Sequence, residues 1–131
     1  MTILDLLVII DYLDGVEEIV EFVDEQPTLV TSSICIYEVL AGEVFSAGET
    51  DLIGARKNFG RVTALDFSED VAFEAARMQN RLLEAGTPMS PRDFMIAATA
   101  RSEGKELVVS DADFDTEGLG ELLSIRRFGP Y

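Results

Sequence analysis

Four acidic side chains in this chain stand in apolar company. Asp5 interrupts the run Ile3-Leu4-Asp5-Leu6-Leu7-Val8-Ile9-Ile10, and Glu38 lies within Ser33-Ile34-Cys35-Ile36-Tyr37-Glu38-Val39-Leu40-Ala41. Asp93 opens Phe94-Met95-Ile96-Ala97-Ala98-Thr99-Ala100, and Asp111 ends Leu107-Val108-Val109-Ser110. A carboxylate taken out of water is costly unless it is paired or coordinates a metal. Mg²⁺ and Mn²⁺ prefer hard oxygen ligands, and clustered carboxylates repel one another until a cation arrives. Such a cation lowers the pKa of a water and neutralises charge on a phosphoryl group, so phosphodiester hydrolysis is the chemistry these acids fit.

The rest of the composition narrows the field by exclusion. The chain has no histidine. That removes a Ser-His-Asp triad, a Cys-His pair, a histidine-dependent ribonuclease and any zinc site built on imidazole. No Gly-x-Gly-x-x-Gly or Walker-type loop is present. Cys35 is the one cysteine, which excludes an internal disulfide and fits a reducing cytosol. It reads as a small core residue rather than a nucleophile. No apolar run approaches a membrane span, and the N-terminus lacks the pattern of a signal peptide. A cytoplasmic protein is therefore expected.

The net charge is −15, from 25 acids against 10 bases. Acids dominate segments such as residues 14–25, which reads as the acid-rich surface of a halophilic protein working in strong salt. The other reading is an ordinary acidic protein. Neither presents the basic face of a typical nucleic-acid binder. That objection weakens where salt screens the surface and a metal supplies local positive charge.

These acids must be positioned by ordered elements. A length of 131 residues, 47% of them apolar, suits one domain over residues 1–131 with a single core. Residues 2–10 are apolar and β-branched, as in a buried strand. Residues 11–24 carry a helical stripe that Pro27 ends. Residues 28–31 suggest a strand, and Ser32 or Ser33 can cap a helix running to about residue 47 before Gly48. A third helix is expected over about 49–59 and a strand over 61–65. Ser68 starts a helix that stops before Gly86, and Ser90-Pro91 starts another that ends near Gly104. Residues 106–109 read as a strand, and 124–128 as a last one. Strands alternating with helices predict a mainly parallel sheet of about four to five strands between two helical layers, an α/β/α sandwich.

In such folds functional groups gather beyond the carboxyl ends of the strands. Asp5 falls within the first strand or near its end, Asp111 follows another directly, and Asp93 lies in the first turn of a helix. Glu38 shares helical register with Ile34, Ala41 and Phe45 and is expected to face inward with them. Ala97, Ala98 and Ala100 would let the Asp93 helix pack close to the sheet. Bland readings stand beside these. Asp93 could complete a capping box with Ser90. Asp111 could cap a turn, and Glu38 could reach the surface at a helix edge. Asp5, as a mid-strand charge, has no bland reading. Arg92 and Arg101 could contact phosphates, or could form surface ion pairs with the abundant acids. Ile36, Tyr37, Leu40, Val44 and Phe45 exceed what one helix face needs, so they belong either to a partner surface or to a helix buried between layers.

These pieces resemble the PIN domain family, and within it the VapC-type toxin ribonucleases of toxin–antitoxin pairs. The likeness rests on Ile3-Leu4-Asp5 with Ile9-Ile10-Asp11-Tyr12-Leu13-Asp14-Gly15, on Tyr37-Glu38-Val39-Leu40-Ala41-Gly42, on Ser90 to Ala100 and on Leu107 to Phe114, in that order. The resemblance implies a Mg²⁺- or Mn²⁺-dependent endoribonuclease with Asp5, Glu38, Asp93 and Asp111 as its acidic site. Asp5, Asp93 and Asp111 would hold the metal, and Asp113 would be an auxiliary acid. It implies a homodimer, an RNA substrate and a cognate antitoxin whose C-terminal segment fills the groove near the site. Asp11 matches the start of the family's first helix, outside the metal site. Two features depart from the pattern. Leu6 and Leu7 stand where the family carries Thr and then Ser or Asn, and Val109 stands where Thr is frequent. Loss of such supporting hydroxyls commonly costs about 10–100-fold in metal affinity or activity. The alternatives are a catalytically weak or inactive PIN-like module that binds RNA or protein, and a housekeeping RNA-maturation nuclease.

Overall fold

The computed structural model of the protein describes residues 2–46, 48–60, 62–86, 89–110, 114 and 118–128. Five strands, β1 (Thr2–Leu4), β2 (Leu29–Ser32), β3 (Val62–Leu65), β4 (Glu106–Val109) and β5 (Ile125–Arg127), form one sheet in the order β3-β2-β1-β4-β5. Every pairing is parallel; Leu4 is in register with Thr31 and Val108. Six α-helices accompany it: α1 (Leu6–Leu13), α2 (Glu17–Asp24), α3 (Ser33–Val44), α4 (Leu52–Lys57), α5 (Glu69–Glu84) and α6 (Pro91–Ser102). Positions 47 and 61, at the edges of two expected elements, lie outside the described residues.

Alternation along the strands divides the core into two layers. Ile3, Val30, Leu107 and Val109 point to the face covered by α5 and α6, where Val71, Met78, Leu82, Phe94 and Ile96 pack. Leu4, Leu29, Val62 and Val108 point to the other face, against Val8, Ile9, Ile19, Val23 and Phe59. The expected α/β/α sandwich is thus present, with all strands parallel. Ala97, Ala98 and Ala100 are fully buried. Their lack of bulk lets α6 press against the sheet.

The N-terminal segment differs from expectation. The strand ends at Leu4, and Leu6 to Leu13 is helical. Val8 and Ile9 are buried while Leu7 and Ile10 are more than a third exposed, a helical pattern that an unbroken apolar run conceals in the sequence. The single helix expected over 11–24 is two, parted at Gly15, whose φ of +76° is readily reached only by glycine.

Central β1 connects to β2 on one side and pairs with β4 on the other. This reversal makes the carboxyl ends of β1 and β4 a topological switch point, where a crevice and its ligands are usual in an open parallel sheet.

Candidate metal centre

Asp5 immediately follows β1 and occupies the position before the first turn of α1. Its backbone N–H donates to Val108 O at 2.9 Å, fixing it to β4. Thr31 Oγ1 donates to Leu4 O at 2.6 Å and ties the same end to β2. Asp is a favoured helix N-cap, which supplies the bland reading that the expected mid-strand placement denied it. Yet the Asp5 carboxylate makes no capping bond to α1. It is fully buried and turned to the crevice, where Cys35 Sγ donates to Oδ1 at 3.8 Å.

Glu38 reaches the same place from α3. The Ser32 hydroxyl starts that helix by accepting from the Ile34 and Cys35 amides. Cys35 and Glu38, three positions apart, therefore share the inner face. Asp93 arrives from α6, whose first turn is set by Pro91 and by Ser90 Oγ accepting from Asp93 N at 3.3 Å. The same hydroxyl donates to Asp93 Oδ2 at 2.8 Å. Asp93 thus serves the helix start and still presents Oδ1 to the crevice, so its two readings coexist.

The three acids converge on Arg92. Its Nε donates to Glu38 Oε2 at 2.5 Å, its Nη1 to Asp93 Oδ1 at 2.5 Å, and its Nη2 stands 3.8 Å from Asp5 Oδ1. Burial would lower the pKa of this guanidinium. The Glu38 hydrogen bond and the charges of Asp5, Glu38 and Asp93 outweigh that and hold it above its ordinary value. Burial and the neighbouring Asp5 charge push the Cys35 thiol up to about 11, so it stays a neutral donor. Arg101 lies nine positions along α6, about 13 Å from Arg92 by helical rise. There it pairs with Glu74 at 2.8 Å. The structure does not bring it to the acids. Asp111 and Asp113 lie outside the described residues. Asp11 is on α1 and accepts from Ser110 Oγ at 3.1 Å.

One residue acquires a role that the sequence did not suggest. Cys35 is buried as expected, but it also holds Asp5; its position one helical turn before Glu38 was the available signal. Of the two readings of Arg92, the structure shows the ion pairs, made with the acids of the site rather than with surface acids. One expectation fails outright. Phe45 is not inward with Glu38 but 89% exposed, because α3 ends at Val44. Tyr37 and Val44 are exposed with it, so α3 is not buried between layers. A largely apolar groove shares Glu38 with this site and is otherwise lined by residues such as Leu6, Ile10, Leu13, Val39 and Phe59.

The donor set can be judged for a divalent cation. Three carboxylates meeting at a strand end are hard oxygen ligands, and Glu38 Oε1 is buried with no hydrogen-bond partner among the described residues. Such an acceptor suits a metal or a water. The acids are spread around the guanidinium, however. Among the described residues, no three metal-binding side chains already stand together at coordinating spacing.

The PIN domain family model matches residues 3–116. The chain belongs to the PIN domain family. A tRNA(fMet)-specific endonuclease VapC of Salmonella typhimurium is 29% identical over 97 residues, covering 70% of this chain and 74% of that protein. Among solved structures, DNA-bound VapBC from Salmonella typhimurium superposes with a TM-score of 0.81 at 25% identity over 96% of each chain. VapBC-1 from nontypeable Haemophilus influenzae gives 0.80 at 23% identity, again over 96% of each. VapBC2 from Rickettsia felis, bound to a promoter DNA fragment, gives 0.78 at 20% identity over 98% of each. The PIN assignment accords with the fold: β1 and β4 end beside the acids in this chain as the sequence motifs required.

Proposed function

We propose that this PIN domain, spanning residues 1–131, is a Mg²⁺- or Mn²⁺-dependent endoribonuclease and the toxin of a toxin–antitoxin pair. The observation that carries the reading is the convergence of Asp5, Glu38 and Asp93 in one crevice beyond β1, with more carboxylate than any structural role there needs. The VapC relative and the VapBC complexes support the choice of RNA as substrate and of an antitoxin as partner.

Asp5 and Asp93, with Asp111 from the segment after β4, would hold the cation. When bound, it supplies Lewis-acid polarisation of the phosphoryl group and neutralises charge there. Glu38 Oε1 is placed to accept from the attacking water and orient it. In the hydrolysis, the water oxygen bonds to phosphorus, the P–O bond to the leaving strand breaks, and the water proton taken up by a carboxylate is passed on to the leaving oxygen. Cys35 donates to Asp5 and holds its orientation. The acidic surface is met by working in strong salt, in the cytoplasm of a halophile, where screening lets RNA approach. No helix among the described residues is long and apolar enough to cross a membrane.

The groove beside Glu38 offers apolar walls for an antitoxin segment, which would block the crevice at its mouth. The exposed apolar end of α3, with Tyr37, Val44 and Phe45, suits a second copy. A monomer by light scattering in high salt would remove the dimer.

The decisive experiment is cleavage of a mixed single-stranded RNA pool in KCl on the order of 1 M, with and without Mn²⁺. Wild type is expected to cleave only with metal, and Asp93→Asn not at all. Cleavage by a pure, folded Asp93→Asn protein would refute the assignment. No cleavage by either would favour the RNA- or protein-binding module, the reading that Leu6 and Leu7 support. In the structure Leu6 packs against the core and Leu7 is exposed, so neither supplies a hydroxyl to the site.

A further inference from the structure

We propose that Arg92 is a built-in occupant of the cation position among Asp5, Glu38 and Asp93, one that a divalent cation must displace. The proposal rests on the metal-dependent reading above and adds a regulated, competitive character to that site.

The geometry has three parts. First, the guanidinium spends a separate nitrogen on each carboxylate: Nε on Glu38, Nη1 on Asp93 and Nη2 toward Asp5. A planar guanidinium can spend a nitrogen on each of three separated acids, which a lysine ammonium does less well. Second, the charge does not balance. Among the described residues, three carboxylates against one guanidinium leave the cluster at −2, so electrostatic attraction for a cation persists with Arg92 in place. Glu38 Oε1, buried and without a hydrogen-bond partner among the described residues, is acceptor capacity the arginine does not use. Third, Arg92 can leave without disturbing the fold. It stands second in α6, next to the Ser90 cap, and its side chain is 31% exposed, against 0% for Asp5 and 6% for Asp93. A long flexible side chain at the rim swings out at the cost of these contacts and regains rotamer freedom. Asp93 and Asp5 stay behind, their carboxylates tied to Ser90 and Cys35, and Glu38 stays on α3, whose start Ser32 fixes.

A permanent strut predicts the opposite behaviour from a displaceable occupant. If Arg92 is a strut, its removal lets the acids splay and metal binding weakens. If it competes, removal leaves the oxygens assembled and unopposed, and binding tightens. The measurement is Mn²⁺ affinity, read from the signal of free Mn²⁺ by electron paramagnetic resonance at one fixed KCl concentration. The proteins are the full-length wild type, Arg92→Gln and Arg77→Gln. Arg77 pairs with Glu74 on the surface of α5 and controls for the loss of one positive charge. Circular dichroism checks the fold of each. Arg92→Lys is the second variant: it keeps the charge but bridges the three acids less well.

The expected result is Mn²⁺ binding tighter by about tenfold or more in Arg92→Gln. Arg92→Lys is expected to lie between it and wild type, and Arg77→Gln to match wild type. If Arg92→Gln fails to fold, tighter Mn²⁺ binding by Arg92→Lys than by wild type carries the test. Equal or weaker affinity in the Arg92 variants overturns the proposal and leaves the metal-dependent nuclease standing. Equal tightening in Arg77→Gln also overturns it, as a general charge effect. Absence of Mn²⁺ binding in every protein overturns both the proposal and the metal-dependent reading.

Discussion

The two ends of α6 carry the same kind of contact with opposite arithmetic. At the N-terminal end, three carboxylates share the one guanidinium of Arg92. At the other, the carboxylate of Glu74 is shared by two guanidiniums, Arg77 and Arg101. The helix dipole favours acids at the first end and bases at the second, so neither arrangement is foreign to its place. Burial separates them. Asp5 and Asp93 are enclosed by the sheet and α6, whereas Arg77 is largely exposed. Excess charge on the surface is screened by water and salt. Excess carboxylate in a buried crevice is not, and a fold retains it only where a cation or a reaction uses it. The contrast teaches that charge imbalance in a buried place, rather than the presence of an ion pair, marks a functional site.

The largest expected effect therefore belongs to the buried, acid-rich end. Asp5→Asn preserves shape but removes one of three crowded negative charges. RNA cleavage should fall by at least about a thousandfold, equivalent to about 4 kcal/mol in the barrier. Thermal stability should hold or rise, because repulsion in the cluster is relieved. Cleavage assays beside thermal melts in the same buffer check both halves. A variant that cleaves normally, or one that loses activity only because it unfolds, would break the comparison.

A smaller effect separates Cys35 from an ordinary core residue. Its thiol donates to Asp5, and burial with the Asp5 charge raises it to about 11 in the fold from an ordinary 9.0. A group with a raised folded pKa binds its proton more tightly when folded. The stability it adds is complete below pH 9 and is lost as pH rises through 11, a difference of about 2 kcal/mol. Urea unfolding at pH 8 and pH 11 should show a steeper decline for wild type than for Cys35→Ala. Identical declines would mean that the thiol does not feel the acid end of α6.

The acid end was also the more legible in sequence, for the same reason. Asp5, Glu38 and Asp93 stood out because charge in apolar company needs a cause, and the structure brings all three together. The strand over 106–109 and the helix begun by Ser90-Pro91 were equally plain, since local capping chemistry and β-branched runs fix them. Two things were hidden. Residues 6–10 read as strand because Leu7 and Ile10 are apolar yet exposed, so the helical period of α1 was masked. Phe45 was assigned inward for a related reason: apolar surface kept for a partner imitates core. Ion pairs of Arg92 with acids were foreseeable, but which acids it meets was beyond sequence. These ion pairs join α6 to α3 and to the end of β1 across 54 and 87 positions, and only the assembled sheet decides which of two helix arginines meets the acids.

The smallest expected effect tests the opposite end of the helix. Arg101 and Glu74 form a 2.8 Å contact, which in isolation looks as good as those of Arg92. Its worth is limited because the side chains are 33% and 20% exposed and, among the described residues, no buried carboxylate joins the pair, as Asp5 and Asp93 join Arg92. Glu74 also keeps Arg77 when Arg101 is lost. Arg101→Ala should therefore cost no more than about 0.5 kcal/mol, and raising the salt should erase the difference from wild type. Urea midpoints at low and high KCl measure it. A loss above about 2 kcal/mol that salt does not reduce would place this pair among buried, finely fitted interactions. The contrast between the ends of α6 would then rest on the sign of the excess charge alone, and no longer on burial.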